Sequence, residues 1–252
     1  MRRGVTVEQI EPRARPAVVV NGSKIERRGA PSRKWVGFTV AEQMHDYYMA
    51  GVLLSDVTSP PDTMYFVFNP QFDMCIGLIP IGKNRHRAYY TMEYRLQGTQ
   101  VIDLFFRESA RCYAPLADYY AAAKCIGPLA SFDVSELWVE HPHRDGVVLM
   151  GDAASTSDPT YGQGLSLALR GARVLLDELS ANHNWTAAAS HYAEKHRRWR
   201  GACCTVEGWF RTLFQDPSSQ SAALREKAMP LITEDPTRVP RSHLQRPRTA
   251  RE

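Results

Sequence analysis

Through the first third of the chain apolar and polar positions alternate in short runs, the period-two signature of β-strands. Residues 5–7 and 18–20 are rich in valine, and Asn21-Gly22, just ahead of Ile25, is a strong hairpin-turn signal. Residues 49–54, 64–68, 74–79 and 87–92 follow as four strand candidates, separated by Pro60-Pro61, Asn69-Pro70 and Gly82-Lys83-Asn84. That punctuation predicts an antiparallel meander. At residues 101–113 the period changes: Val101, Leu104, Phe105 and Ala110 recur at near-helical spacing, and 116–123 is a second helical stretch. Residues 132–139 read as a returning strand. The run 147–150 is continuously apolar behind an Asp145-Gly146 turn, which suits a strand covered on both faces, as in a parallel sheet. The clearest element is a helix over 163–179. Leu165, Ala168, Leu169, Ala172, Leu175, Leu176 and Leu179 make one apolar stripe, with Arg170, Arg173 and Asp177 off it. Residues 185–214 give one or two further helices rich in aromatics, in which Trp199, Trp209 and Phe210 read as core.

Composition narrows the class. At 252 residues with 44% hydrophobic and 23% charged residues, the chain can bury a core of one large or two small domains. No apolar stretch is long enough to span a bilayer, and Met1-Arg2-Arg3-Gly4 runs into polar sequence rather than the apolar segment of a signal peptide, so the cytoplasm is the expected compartment. Cys75, Cys112, Cys125, Cys203 and Cys204 have no metal-ligand spacing and read as buried or idle thiols, so no metal is expected. The net charge of +4 comes from basic residues at the two ends. From Thr237 onward Pro and Arg dominate with almost no apolar residues, which predicts a disordered basic tail over 237–252. No folded basic face with interleaved aromatics accompanies it, so nucleic acid is not an expected partner.

One segment carries chemistry: Gly151-Asp152-Ala153-Ala154-Ser155-Thr156-Ser157-Asp158-Pro159-Thr160-Tyr161-Gly162-Gln163-Gly164-Leu165. A strand that delivers Gly151-Asp152 at its C-terminal end puts them where open α/β sheets bind ligands. The chain then passes Pro159 and enters a helix through Gly162-Gln163-Gly164. Glycines there let a flat ligand approach the backbone, and the free amides of the first turn favour electron-rich or anionic groups. Asp152 is an acceptor suited to ribose-like or ribityl hydroxyls. A nicotinamide-binding fingerprint is excluded, because Leu167 stands where its third glycine belongs and no strand directly precedes Gly162.

The segment resembles the second FAD motif of the group A flavoprotein monooxygenases, the para-hydroxybenzoate hydroxylase-like enzymes, in which Gly-Asp-Ala-Ala is followed by Pro and then by Gly-x-Gly opening a helix. Ser155 stands where many members have His. The resemblance extends over nearly all of the chain outside the tail. It implies that Asp152 binds the ribityl hydroxyls, that Pro159 lies by the ring, and that the backbone from Gly162 through Gln163 and Gly164 to Leu165 faces the pyrimidine edge, with Gly151 counted among the cofactor-binding residues. It implies FAD as cofactor, NAD(P)H as reductant, and hydroxylation or epoxidation of a small organic substrate with dioxygen. The expected fold is mixed α/β (α+β): a partial Rossmann-like FAD-binding domain, an antiparallel-sheet substrate domain and C-terminal helices. The expected parts are residual FAD-domain strands at 1–35, the substrate sheet at 36–140, the FAD-binding segment at 141–182 and a helical region at 183–236.

The same resemblance points to what is not found. Members open with a βαβ unit whose Gly-x-Gly-x-x-Gly holds the pyrophosphate; here Gly4, Gly22 and Gly29 are the only early glycines. Of the family's middle motif only a remnant fits, Gly29-Ala30-Pro31-Ser32-Arg33-Lys34-Trp35. The chain therefore reads as a truncated member, expected on its own to bind FAD weakly or not at all, to show no NAD(P)H oxidase activity and to leave a sheet edge exposed. A non-enzymatic remnant or interaction module is the alternative. No side chain is singled out as catalytic, since the flavin itself carries the oxygen chemistry. His45, Tyr47 and Tyr48 are candidates either for a substrate pocket or for a polar, aromatic helix-to-strand junction, and His141 and His143 read as a solvated turn rather than a catalytic pair.

Overall fold

The computed structural model describes residues 6–11, 17–21, 33, 36–45, 47–92 and 101–240. In chain order these form β1 (Thr6–Glu11), β2 (Ala17–Asn21), β3 (Val40–Gln43), β4 (Tyr48–Ser55), β5 (Tyr65–Asn69), β6 (Met74–Pro80) and β7 (Arg85–Met92). Helices α1 (Val101–Cys112) and α2 (Leu116–Tyr120) follow, then β8 (Lys124–Cys125), β9 (Ala130–Asp133), β10 (Glu136–Val139), β11 (His143–Arg144) and β12 (Val147–Val148). The chain closes with α3 (Gly164–Ala181), α4 (Trp185–Phe214) and α5 (Ser219–Glu234). The mixed α/β class is as expected. The Asn21-Gly22 turn and the remnant motif, apart from Arg33, lie outside the described residues. The described chain divides into two units, one within Met1–Met44 and Ser135–Thr205, the other of His45–Val134 with Val206–Pro240.

The second unit is built on a six-stranded antiparallel sheet in the order β5-β6-β7-β4-β8, with β9 also on β4. Strands β5, β6 and β7 form the expected meander, and β4 closes it by pairing with β7 from Tyr48↔Met92 to Ser55↔Arg85. The β6–β7 connection runs through Gly82, Lys83 and Asn84, all at positive φ. Alternate side chains of β4, β6 and β7 point into one core, where Val52, Leu54, Ile76, Leu78, Ala88 and Tyr90 meet Phe105 of α1 and Leu116 of α2. Phe105 is fully buried and meets the Tyr90 ring edge-on at 5.9 Å. The apolar spacing of α1 thus serves the sheet, as an amphipathic helix must.

On the other sheet face Tyr89 has glycine opposite it on both neighbouring strands, Gly51 on β4 and Gly77 on β6. A Cβ at Gly51 would stand 3.1 Å from two carbons of the Tyr89 ring, and one at Gly77 3.5 Å from it. The ring occupies the space that a side chain at Gly51 would need, but leaves ordinary contact room at Gly77. Gly51→Val is therefore expected to push the ring off the sheet and lower stability by about 1–3 kcal/mol, the usual cost of overpacking. Gly77→Ala should cost less than about 1 kcal/mol, because 3.5 Å is ordinary contact and alanine restrains the unfolded chain. Urea unfolding curves of the two variants test the contrast, and equal losses would refute this account of Tyr89.

Two sequence expectations change in the first unit. The strand anticipated at 132–139 is two strands in different sheets: β9 pairs with β4, whereas β10 pairs with β3 from Glu136↔Gln43 to Val139↔Val40. The run 147–150 does not enter a parallel sheet. Only Val147–Val148 is extended, and it pairs antiparallel with His143–Arg144. The cause is local: Asp145 and Gly146 both adopt positive φ, the geometry of the tight hairpin turn that Asp-Gly favours, so the chain folds straight back. Val147 and Leu149 are instead buried against Val36, Val139 and Ala154.

Helix α3 turns an unexpected face inward. A Cβ at Gly164 would stand 3.8 Å from Ser157 Oγ, one at Gly151 3.5 Å from Ala168, and one at Gly171 3.5 Å from Tyr192 Oη of α4. Small residues on this face allow the close approach, and the leucine stripe points away, with Leu165, Leu169 and Leu176 exposed. Helix α4 is one continuous helix of 30 residues. Trp209, expected in the core, is 55% exposed, while Phe210 packs on Phe68 and Phe214. The tail expected from Thr237 begins with an ordered turn at Pro236–Arg238, because the Asp235 carboxylate accepts from Thr237 N. The five cysteines are free thiols, and no described helix is long and apolar enough to cross a membrane.

Candidate functional site

The loop that carries the sequence motif is stitched in place before it reaches its exposed residues. Met150 is extended, and Gly151 then turns at φ +59, a conformation glycine adopts without strain. Gly151–Ala153 forms a 3-10 turn, in which the amides of Ala154 and Ser155 donate to Gly151 O at 2.9 and 3.0 Å. Strand β10 holds the next residues: Val139 N donates to Ala154 O at 2.8 Å, Thr156 N to Leu137 O at 2.7 Å, and Leu137 N to Thr156 Oγ1 at 2.8 Å. Ala154 and Ser155 are buried as a result, whereas Asp152 is exposed, so the turn presents its carboxylate to solvent.

Arg33 clamps the same turn from outside the motif. It is buried, its Nε donates to Ala153 O at 2.8 Å, and its Nη2 donates to Asp152 O. Burial pulls this guanidinium below its ordinary pKa, and the nearby Asp152 charge opposes the effect. Arg33 is the arginine of the motif remnant noted in the sequence. The chain spacing of 119 residues gave no sign that it would meet the Asp152 backbone.

The second half of the loop prepares the entrance of α3. The buried Asp158 carboxylate accepts from Thr160 N at 2.8 Å and caps a 3-10 turn at Pro159–Tyr161. Gly162 ends that turn at φ +66, and nothing stands within 4 Å of where its Cβ would be. Gln163 is buried, with its side-chain amide donating to Tyr161 O at 3.2 Å. Its side chain therefore tightens the loop and is not offered to a ligand. No side chain caps α3, so the amides of its first turn, from Gly164 and Leu165, remain available as donors. Two hydroxyls of this loop, Ser157 Oγ and Thr160 Oγ1, are buried without a hydrogen-bond partner among the described residues. Neither hydroxyl was singled out in the sequence, where only the Gly, Asp and Pro positions stand out. Behind the loop, Tyr192 Oη donates to Leu149 O at 3.0 Å, and burial pushes that phenol up to about 12.

The donor set can therefore serve a ligand with carbonyl acceptors on one edge and hydroxyls on another: open amides at a helix start, unsatisfied hydroxyls beside them, an exposed carboxylate, and open space over Gly162. These residues fit the isoalloxazine edge and ribityl chain of a flavin. Asp152, Pro159, Gly162, Gly164 and Leu165 all lie on this one loop, with Pro159 and Leu165 exposed. His45 and Tyr47 of the other unit stack at 5.5 Å, and Tyr47 lines a separate pocket there.

The family described as FAD binding domain matches residues 28–202. No curated protein matches the sequence. Among solved structures, HpxO of Klebsiella pneumoniae complexed with FAD and uric acid is similar with a TM-score of 0.65 at 17% identity, over 91% of this chain and 62% of that one. The anhydrotetracycline hydroxylase OxyS from Streptomyces rimosus is similar with a TM-score of 0.63 at 18% identity, over 94% of this chain and 50% of that one. The Diels-Alderase PyrE3 of pyrroindomycin biosynthesis gives 0.71 at 17% identity, over 92% of this chain and 53% of that one. The chain thus spans between half and two thirds of the length of these three proteins.

Proposed function

Because the chain belongs to the FAD binding domain family, that of the group A flavoprotein monooxygenases, we propose that it is a flavin-dependent monooxygenase acting in the cytoplasm on a small organic substrate. The reading is supported above all by the loop from Gly151 to Leu165, where an exposed carboxylate, two unsatisfied buried hydroxyls and an uncapped helix start converge. Asp152 accepts from the ribityl hydroxyls, and Arg33 holds the Asp152 backbone so that the carboxylate keeps its direction. The backbone from Gly162 to Leu165 faces the pyrimidine edge, with the Gly164 and Leu165 amides as the donors, since Gly162 N already donates to Pro159 O, and the positive end of α3 favours electron density on the ring. Pro159 and the open space over Gly162 let the flat ring lie against the loop. When bound, the flavin would supply the redox chemistry for hydroxylation or epoxidation with NAD(P)H and dioxygen. The unit of His45–Val134 with Val206–Pro240 is the substrate-binding part in this reading, and residues 141–182 the flavin-binding segment.

Fluorescence titration tests the reading. Every donor and acceptor assigned here serves the ring and ribityl portion, so riboflavin is expected to bind within about tenfold of FAD. A hydrogen bond to a charged group is worth about 1.5–3 kcal/mol, so Asp152→Ala is expected to weaken both ligands by roughly 10- to 100-fold. NADH or NADPH oxidation with oxygen uptake by the FAD-loaded chain is the accompanying activity. Flavin binding that ignores Asp152→Ala, or no binding of either ligand, refutes the assignment, and the second result supports a non-enzymatic remnant.

A further inference from the structure

A pocket of about 820 Å³ in the second unit is lined by residues that the flavin reading does not use. It opens between α1, the start of the β6 strand, the end of β7, and the segment around Arg211 and Pro217. Its floor mixes the apolar Met74, Met92 and Leu104 and the Tyr90 ring with the polar Thr91, and Tyr90 and Met92 are almost fully buried. Its rim is cationic. Arg107 and Arg111 lie one turn apart on α1 and converge on one carboxylate, Glu108, at 3.4 and 3.2 Å. Arg111 also stacks on the Phe72 ring at 4.2 Å, which holds its guanidinium at the rim. Arg211 lies 3.7 Å from Asp73 and 5.2 Å over the Tyr47 ring. Three guanidiniums thus face two carboxylates, leaving a local excess of positive charge. The donor count is more unequal still. Arg107 and Arg111 carry five N–H donors each, and one carboxylate offers about four acceptor sites. Both side chains are more than half exposed, so the spare donors are accessible.

We infer that this pocket binds an organic carboxylate, with its apolar body against Tyr90, Met92 and Leu104 and its carboxylate on Arg107 and Arg111. The volume lies within the roughly 300–1,000 Å³ typical of small-molecule sites. A planar carboxylate matches the forked guanidinium better than a spherical ion does. A largely apolar floor beside a cationic rim selects against both a neutral apolar molecule and a fully hydrated inorganic anion. The site involves no residue of the Asp152 loop, so it stands or falls independently of flavin binding.

Calorimetric titration of the full chain with 4-phenylbutyrate, 4-phenylbutanamide and inorganic phosphate tests the inference. The carboxylate is expected to bind in the high-micromolar to millimolar range, and the amide and phosphate at least about tenfold more weakly, as loss of a charge-assisted pair implies. The Arg107→Gln, Arg111→Gln double variant should lose about tenfold or more in 4-phenylbutyrate affinity while its FAD titration stays unchanged. Replacement of both by Lys should restore only part of the loss, because lysine lacks the fork. Equal binding of the amide would show an apolar cavity without anion recognition. Equal binding of phosphate would show a simple charge patch. No carboxylate binding, or binding unaltered in the double variant, would overturn the site, and none of these outcomes bears on the flavin assignment.

Discussion

Methionine in place of Arg200 is expected to destabilise the first unit by about 3–5 kcal/mol, the cost of stranding one partner of a buried ion pair. Arg200 Nη2 lies 2.8 Å from Glu136 Oε2, with side-chain exposures of only 9% and 5%. The guanidinium also stacks on Trp138 at 4.3 Å, on the strand that pins the Asp152 loop. Removing it leaves the Glu136 carboxylate buried without that guanidinium, and the unit must either admit water or protonate the acid. A second change, Glu136→Leu in the Arg200→Met background, should recover much of the loss, because a well-packed apolar pair of similar volume is often neutral in such sites. Urea unfolding followed by tryptophan fluorescence measures both. A loss below about 1 kcal/mol for Arg200→Met would mean that the pair is not buried in solution as it is in the structure.

The second large effect is on pH dependence, through His196 on the same helix. His196 is buried beside the Tyr192 ring, and its Nε2 has no hydrogen-bond partner among the described residues. Burial, reinforced by the charge of Arg200 one turn on, lowers its pKa from 6.5 to about 4. The sign follows from proton uptake. Between these values the unfolded chain binds a proton that the folded chain refuses, so stability is full above about pH 6.5, falls as the pH drops, and loses this contribution below about 4. The gap corresponds to at most roughly 3.5 kcal/mol, at about 1.4 kcal/mol for each pH step. His196→Phe should flatten the stability profile across that window. Arg200→Met should raise the His196 pKa only in part, because burial is the larger cause. Unfolding curves from pH 7 to 4 and a histidine proton titration by NMR measure both. A native His196 titrating near 6.5 would rule the effect out.

Much of the fold was legible wherever one local signal decided the outcome. The four strands β4 to β7 and helices α1 and α3 fall within a few residues of their hydrophobic patterns. Pattern alone misled where pairing decides. Residues 147–150 are apolar enough for a parallel strand, yet the Asp145-Gly146 turn commits them to a two-residue hairpin. Residues 132–139 read as one returning strand, yet they split at Val134–Ser135 because β4 and β3 claim opposite ends. In α3 the stripe of leucines was the stronger hydrophobic signal, but the small residues Gly164, Ala168 and Gly171 face the protein. How closely a helix can approach depends on side-chain size, not hydrophobicity alone.

By itself the sequence determined the chemistry of the Asp152 loop: glycines at 151 and 162 where the backbone turns left-handed, proline and aspartate shaping the 3-10 turn, and a helix that starts uncapped. These are properties of adjacent residues, and short-range sterics and hydrogen bonding fix them. Only the tertiary structure decided that Arg33 reaches the Asp152 and Ala153 carbonyls, that Arg200 pairs with Glu136 across 64 residues, and that Arg211 joins Arg107 and Arg111 around one pocket. A long, charged side chain carries no local preference for its partner. Which carboxylate or carbonyl it finds depends on how the strands and helices close around it, and no spacing along the chain encodes that.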